Sequence, residues 1–188
     1  MKKFSLKWGS LFLTIGLCLI SYNSFSQDIQ LDKKEKKEAR KAEALANFEL
    51  LNTLLINRNF VIKADALENK YGDRIDVQSG LNFIKVDSTN AVLQTGSGNG
   101  IGYNGVGGVT AEGRINNWDI VRNYKSLSYY LHFNVETNIG VYDVSMMLGS
   151  DNHVRATITG TTPGELVYDG HIESLYRSGI YKGQNSYY

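Results

Sequence analysis

The chain has 188 residues, with 20 Lys and Arg against 19 Asp and Glu, 42% hydrophobic residues, one cysteine, and 19 glycines beside a single proline. That length suits one domain with a sizeable core, and the composition is that of a globular chain rather than a disordered one. A net charge of +1 lacks the basic excess of nucleic-acid binders, so nucleic acid is not expected as a partner.

Residues 1–26 read as a cleavable signal peptide. Lys2, Lys3 and Lys7 form a basic start, and Leu11 to Ile20 form an apolar stretch too short to span a membrane. Ser24-Phe25-Ser26 then offers small residues before Gln27. Cys18 is flanked by Leu17 and further apolar residues, which does not fit lipidation. Export would make the protein periplasmic or secreted, remove three lysines and the only cysteine, and leave a mildly acidic domain without disulfides or thiolate chemistry.

Residues 27–43 form a charged spacer or helix start, mixed in sign, and 44–188 form a single globular domain. Ala44, Leu45, Phe48, Leu51, Leu54 and Leu55 recur at helical spacing and predict an amphipathic helix to about Ile56. Asn57 or Asn59 is the expected left-handed terminator. Beyond Phe60, short β-branched and aromatic runs recur about every ten residues, at 60–66, 80–86, 90–95, 106–115, 118–124, 127–136, 139–148, 153–160 and 166–172. The fold class is mainly β (α+β): an amphipathic N-terminal helix packed on a twisted antiparallel sheet, open barrel or sandwich of about eight strands.

The last four strands can be registered from side-chain alternation. Leu127, Tyr129, Leu131, Phe133 and Val135 face the same side as Tyr142, Val144, Met146 and Leu148. Val154, Ala156 and Ile158, then Tyr168, Gly170 and Ile172, continue that face. A two-residue turn at Thr137-Asn138 sets Phe133 against Tyr142, and a slip by an even number keeps the faces unchanged. The opposite, polar face carries His132, Asp143, Thr157 and Asp169 in one row and Tyr130, Ser145, Arg155 and His171 in another.

Candidate chemistry on that face is limited. His132 and His171 lie three strands apart, roughly 14 Å, too far to share a zinc ion, and no metal or other cofactor is expected. His132 beside Asp143 has the form of an oriented catalytic pair, but no GxSxG turn supplies a nucleophile. Asp143 and Asp169 offer only the spacing of a glycosidase pair.

Eight of the nineteen glycines fall between Gly96 and Gly113. Gly100-Ile-Gly102-Tyr-Asn-Gly105 matches GxGxxG formally, yet the chain continues as an alternating strand, without the helix start that holds phosphate, so no nucleotide is expected. The glycines imply a bent strand pair or barrel corner, or a ligand loop displaying Asn99, Tyr103 and Asn104 beside Trp118.

The strings Ala46-Asn-Phe-Glu-Leu-Leu-Asn-Thr-Leu-Leu55, Leu81-Asn-Phe-Ile-Lys-Val-Asp87, Ile101-Gly-Tyr-Asn-Gly-Val-Gly-Gly-Val-Thr-Ala-Glu-Gly113, Thr137-Asn-Ile-Gly-Val-Tyr-Asp143 and Tyr181-Lys-Gly183 resemble an exported, uncharacterised family of Bacteroidota, domain of unknown function 4251. The resemblance runs from about Glu43 to Gly183. It implies a signal sequence and an envelope location, and it carries no catalytic or binding residue with it.

The sequence therefore leads to an exported, envelope-associated, non-enzymatic module that binds a small ligand or an envelope protein. The alternative is a small hydrolase acting on glycans or peptides from the polar face. A concave site around His132 and Asp143 would favour the hydrolase, and an apolar cavity would favour a carrier.

Overall fold

The computed structural model describes residues 33–98, 103–161 and 164–187. The expected signal peptide and Asn99 lie outside them. The chain divides into two compact units, Met1–Lys37 and Glu38–Tyr188, and of the first only Lys33–Lys37 are described, as the opening of a helix.

Helix α1 spans Lys33–Asn57, so the described part of the charged stretch is helical. Phe48, Leu51 and Leu55 form its buried stripe at the i, i+3, i+7 spacing of one helical face. Leu45, expected in that stripe, is half exposed, because it sits about a quarter turn from the stripe's centre. The helix ends at Arg58, which takes a left-handed φ of 49° in place of either neighbouring asparagine. Its guanidinium lies 4.6 Å from the Trp118 ring centroid, a cation–π contact that offsets the backbone cost.

Nine strands follow: β1 (Asn59–Asn69), β2 (Arg74–Asp76), β3 (Phe83–Asp87), β4 (Asn90–Gln94), β5 (Thr110–Asn123), β6 (Ser128–Thr137), β7 (Gly140–Gly149), β8 (His153–Thr159) and β9 (Glu165–Ser174). Strands β3 to β9 pair in sequence order, β1 pairs with β3, and β9 returns to β1. Eight strands thus close an antiparallel up-and-down barrel, with β2 as an extra strand on β1 beyond β3. Closure removes the exposed edges of an open sheet.

Inward residues alternate as their sequence requires. Phe60, Ile62, Ile84, Val86, Leu131, Phe133, Val144, Met146, Val154 and Ala156 join Phe48, Leu51 and Leu55 in one core. Phe48 stacks on Tyr129 at 4.5 Å, and the Tyr129 hydroxyl donates to the Phe48 carbonyl, so the helix is fastened where β6 begins. Two irregularities reset the alternation. Between Ala64 and Ala66 a bulge lets Leu67 follow Ala64 inward, and β9 answers it with Gly170, where a Cβ would stand 1.9 Å from the Lys63 carbonyl oxygen. Between Asn116 and Asp119 the β5 register shifts, with Asn117 at φ 52°, so the expected strands 106–115 and 118–124 are one interrupted strand starting at Thr110.

The β6–β7 turn falls at Asn138-Ile139, pairing Phe133 with Val144 in place of Tyr142. That even shift keeps every expected face. The C-terminal residues add what the alternation did not announce. Leu175 and Ile180 pack on Val61, Phe83 and Val92, a second small core on the outside of the barrel.

Candidate functional site

The barrel ends differ. At one, α1 closes over the core. At the other, Leu93, Ala111, Ile158 and Tyr168 leave an apolar cavity of about 240 Å³, which Val109, Tyr142 and Leu166 rim. An eight-stranded barrel has room either for its own side chains or for one small ligand. Tyr168 is fully buried, its hydroxyl donates to the Gln94 carbonyl, and burial pushes its phenol well above the usual range. It is therefore a neutral wall of the cavity at any physiological pH.

The described residues of the glycine segment, 96–98 and 103–113, border this mouth through Val109 and Ala111. Asn104, expected to be displayed, is 1% exposed. Its Nδ2 donates to the Thr95 carbonyl and to Thr110 Oγ1, and its Oδ1 accepts from the Val106 and Gly108 amides. A short polar side chain inside a glycine-rich loop satisfies backbone groups that no strand partner reaches. Gly108 is required there because a Cβ would lie 2.3 Å from the Thr95 carbonyl oxygen. Tyr103 stands in solvent at 84% exposure. Trp118 is not beside the loop but stacks on Phe133 at 5.1 Å, between barrel strands. Of the four residues expected at a ligand loop, only Tyr103 is thus presented by it among the described residues.

The C-terminal residues strap this end. Gln94, fully buried, donates through Nε2 to the Leu81 and Tyr181 carbonyls and accepts at Oε1 from Thr110 Oγ1 and the Gly183 amide. Ser186 bonds to Thr110 and Asn138. Lys182 and Asn185 both donate to Glu112, at 2.5 and 2.8 Å. Those two hydrogen bonds, Lys182 first, hold the Glu112 carboxyl below its ordinary value against the opposing effect of burial.

The five polar-face residues lie on the outer wall and fall into three groups. His132 Nε2 meets Asp143 at 2.9 Å, and Asn134 donates to the other carboxylate oxygen. Ser145 lies opposite His132 in the ladder, but its hydroxyl bonds to Tyr130. Arg155 stands directly opposite Asp169, one place from the expected row, and also bonds Glu68. Burial raises the Asp169 carboxyl, but hydrogen bonds from Arg74 and His153 outweigh it and leave it lower than usual. His171 is shared between Asp65 and Glu173, at 3.1 Å each. Sequence reasoning missed Asp65, Glu68 and Arg74 because closure of β1 onto β9, which brings them there, has no local signal. His153, already close by on β8, could have been found from its alternation. Among the described residues, no three His, Asp or Glu side chains are grouped to hold a metal ion, and no helix is long and apolar enough to cross a membrane.

A closed antiparallel barrel of eight strands with an apolar interior, an extra strand and an N-terminal helix packed on it, defines a mainly β, up-and-down barrel protein. The particular family follows from sequence. The profile for Domain of unknown function (DUF4251) matches residues 42–172, and the chain belongs to that family. Among solved structures, the chain is similar to a DUF4251 family protein from Bacteroides eggerthii DSM 20697. That crystal structure is 22% identical with a TM-score of 0.61, and the match covers 72% of this chain and 92% of that one. The likeness is one of fold. No curated protein matches.

Proposed function

We propose that the protein is an exported, envelope-associated, non-enzymatic binding module whose site is the barrel mouth away from α1. The observation that carries this reading is the cavity of about 240 Å³ walled by Leu93, Ala111, Ile158, Leu166 and Tyr168. Ligand sites are concave and mostly apolar, and a preformed apolar cavity of about 150 Å³ already accepts a benzene-sized group. The expected guest is a small apolar group or the end of an acyl chain. The basic, apolar and small-residue pattern of residues 1–26 supports export.

The hydrolase alternative has less behind it. His132 and Asp143 make an oriented pair on a convex wall, and the Ser145 hydroxyl opposite is engaged by Tyr130. A methyl-resolved NMR titration with octanoate tests the proposal. Shifts are expected at Leu93, Ala111, Ile158 and Leu166, and Ala111→Leu, which fills the cavity, should abolish them in a folded protein. Saturable shifts elsewhere with none at the mouth would overturn it.

A further inference from the structure

A second opening adjoins that mouth, in the wall of the barrel itself. Strand β1 pairs with β3 over Asn59–Lys63 and with β2 over Ala66–Glu68. On the far side of β3, the β4–β5 wall continues past Gln94, with the Thr95 and Ser97 amides bonded to the Val109 and Val106 carbonyls. The wall is therefore longer on both sides of β3 than β3 is. Between the two extensions lies a cleft of about 350 Å³, with Ile75, Asp76 and Gln78 on one bank and Thr95, Gly96 and Ser97 on the other.

The two banks are finished differently. On the Gly96 bank the Asn82 carboxamide substitutes for a strand: its Nδ2 donates to the Gly96 carbonyl at 2.8 Å and its Oδ1 accepts from the Gly96 amide at 3.0 Å. The β2 bank has no such cover. The Val77 amide bonds the Asp65 carbonyl, and the Asn69 amide bonds the Asp73 carbonyl, so residues 73, 75 and 77 turn their backbone groups toward β1. Alternation then turns those of Arg74 and Asp76 outward. Among the described residues no backbone group pairs with that outer edge. Ile75 lies opposite Leu67 and so shares its inward face, yet it is 62% exposed.

We propose that this cleft is a strand-addition site for an extended polypeptide segment, which pairs with the outer edge of β2 at Arg74 and Asp76. The proposal rests on the reading of the mouth as a binding surface and names the class of its partner. The chemistry selects a polypeptide over a lipid or a sugar. Each unpaired residue offers one donor and one acceptor, and the two residues are about 6.8 Å apart, the two-residue repeat of an extended chain. Side chains on alternate residues of the added segment cover Ile75 and enter the mouth, since Thr95 lines both the cleft and the apolar cavity. An uncovered strand edge is a pairing template, and elsewhere this barrel removes its edges by closure.

The test selects random twelve-residue peptides displayed on phage against the purified protein, then titrates the enriched peptides by fluorescence anisotropy. Asp76→Pro deletes one outward N–H without touching the ladder to β1, whereas Asp76→Ala removes only the carboxylate. Binding should fall at least about tenfold in Asp76→Pro and stay within about twofold in Asp76→Ala, the difference expected for a lost backbone pairing. Equal binding by wild type and Asp76→Pro, equal loss in both variants, or no enriched peptide would each overturn the proposal. Should Asp76→Pro fail to fold, N-methylation along the peptide decides: losses at every second position support strand addition, and losses without that period refute it. Octanoate titration separates this from the broader reading. Octanoate at the mouth with no enriched peptide defeats strand addition alone, and peptide binding without octanoate defeats the small-ligand reading alone.

Discussion

Replacing Asn104 with alanine should cost far more than an exposed-loop substitution. Its carboxamide makes four hydrogen bonds of 3.0 to 3.1 Å, to the Thr95 carbonyl, Thr110 Oγ1 and the Val106 and Gly108 amides. Thr110 Oγ1 keeps its bond to Gln94, but the three backbone groups lose the only partners that the side chain supplies. An unsatisfied buried polar group costs about 1–3 kcal/mol, and a water admitted to the vacated polar space returns part of that. The expected loss is about 3–5 kcal/mol. Urea unfolding reads it directly: with a slope near 2 kcal/mol/M, the midpoint drops by about 1.5–2.5 M. The neighbouring Tyr103→Ala, at an 84% exposed position, should stay within about 0.5 kcal/mol. A loss below about 1 kcal/mol for Asn104→Ala, with unchanged amide exchange at Val106 and Gly108, would refute the assignment of Asn104 as the hub that shapes the loop.

Further outcomes follow from other parts of the barrel. Phe48→Ala empties the contact between α1 and Tyr129 and should destabilise by about 3–5 kcal/mol in the same urea assay. Gly113→Ala should prevent the normal β5–β6 pairing, because its Cβ would lie 1.9 Å from the Glu136 carbonyl oxygen; amide exchange at β6 would rise relative to β8. For pH, Glu112 and Asp169 both titrate lower in the folded chain than in the unfolded one. The unfolded chain then takes up protons first as pH falls. Their contribution is full above the ordinary carboxyl values of 4.5 and 3.8 and is lost as pH drops through the lower folded values. Amide exchange at Tyr181, Gly183 and Gln184 should accelerate over that acid window, and Glu112→Gln should show weaker strap protection already at neutral pH. An acid profile of strap exchange identical in wild type and Glu112→Gln would contradict the role given to this carboxyl.

Much of the wall was legible because strand alternation is a local property. Tyr129, Leu131, Phe133 and Val135 turn inward on period alone, as do Val144, Met146 and Leu148, and a turn displaced by one residue left each on its face. The stripe Phe48, Leu51, Leu55 was legible for the same reason, at period 3.6. The interruption of β5 was not, since Asn117 in the left-handed region looks in sequence like a loop between two strands.

The candidate site was legible only in part. Glycine crowding at 96–113 marked the loop correctly as a place of tight backbone, but Asn104 and Tyr103, one residue apart, have opposite fates, one in the core and one in solvent. Period and composition do not distinguish them; the carbonyl of Thr95 and the amides of Val106 and Gly108 do.

By itself, then, the sequence determined the apolar and polar faces, the helix, and the antiparallel order of the last four strands, β6 to β9. Those follow from side-chain period and from the short connections between these four strands, which favour hairpins. The tertiary structure alone decided that the sheet closes, because the β1–β9 pairing joins residues about a hundred positions apart. From closure come the Asp65–His171 and Glu68–Arg155 contacts and the apolar cavity at one mouth, while β2, paired to β1 alone, keeps an unpaired outer edge beside it.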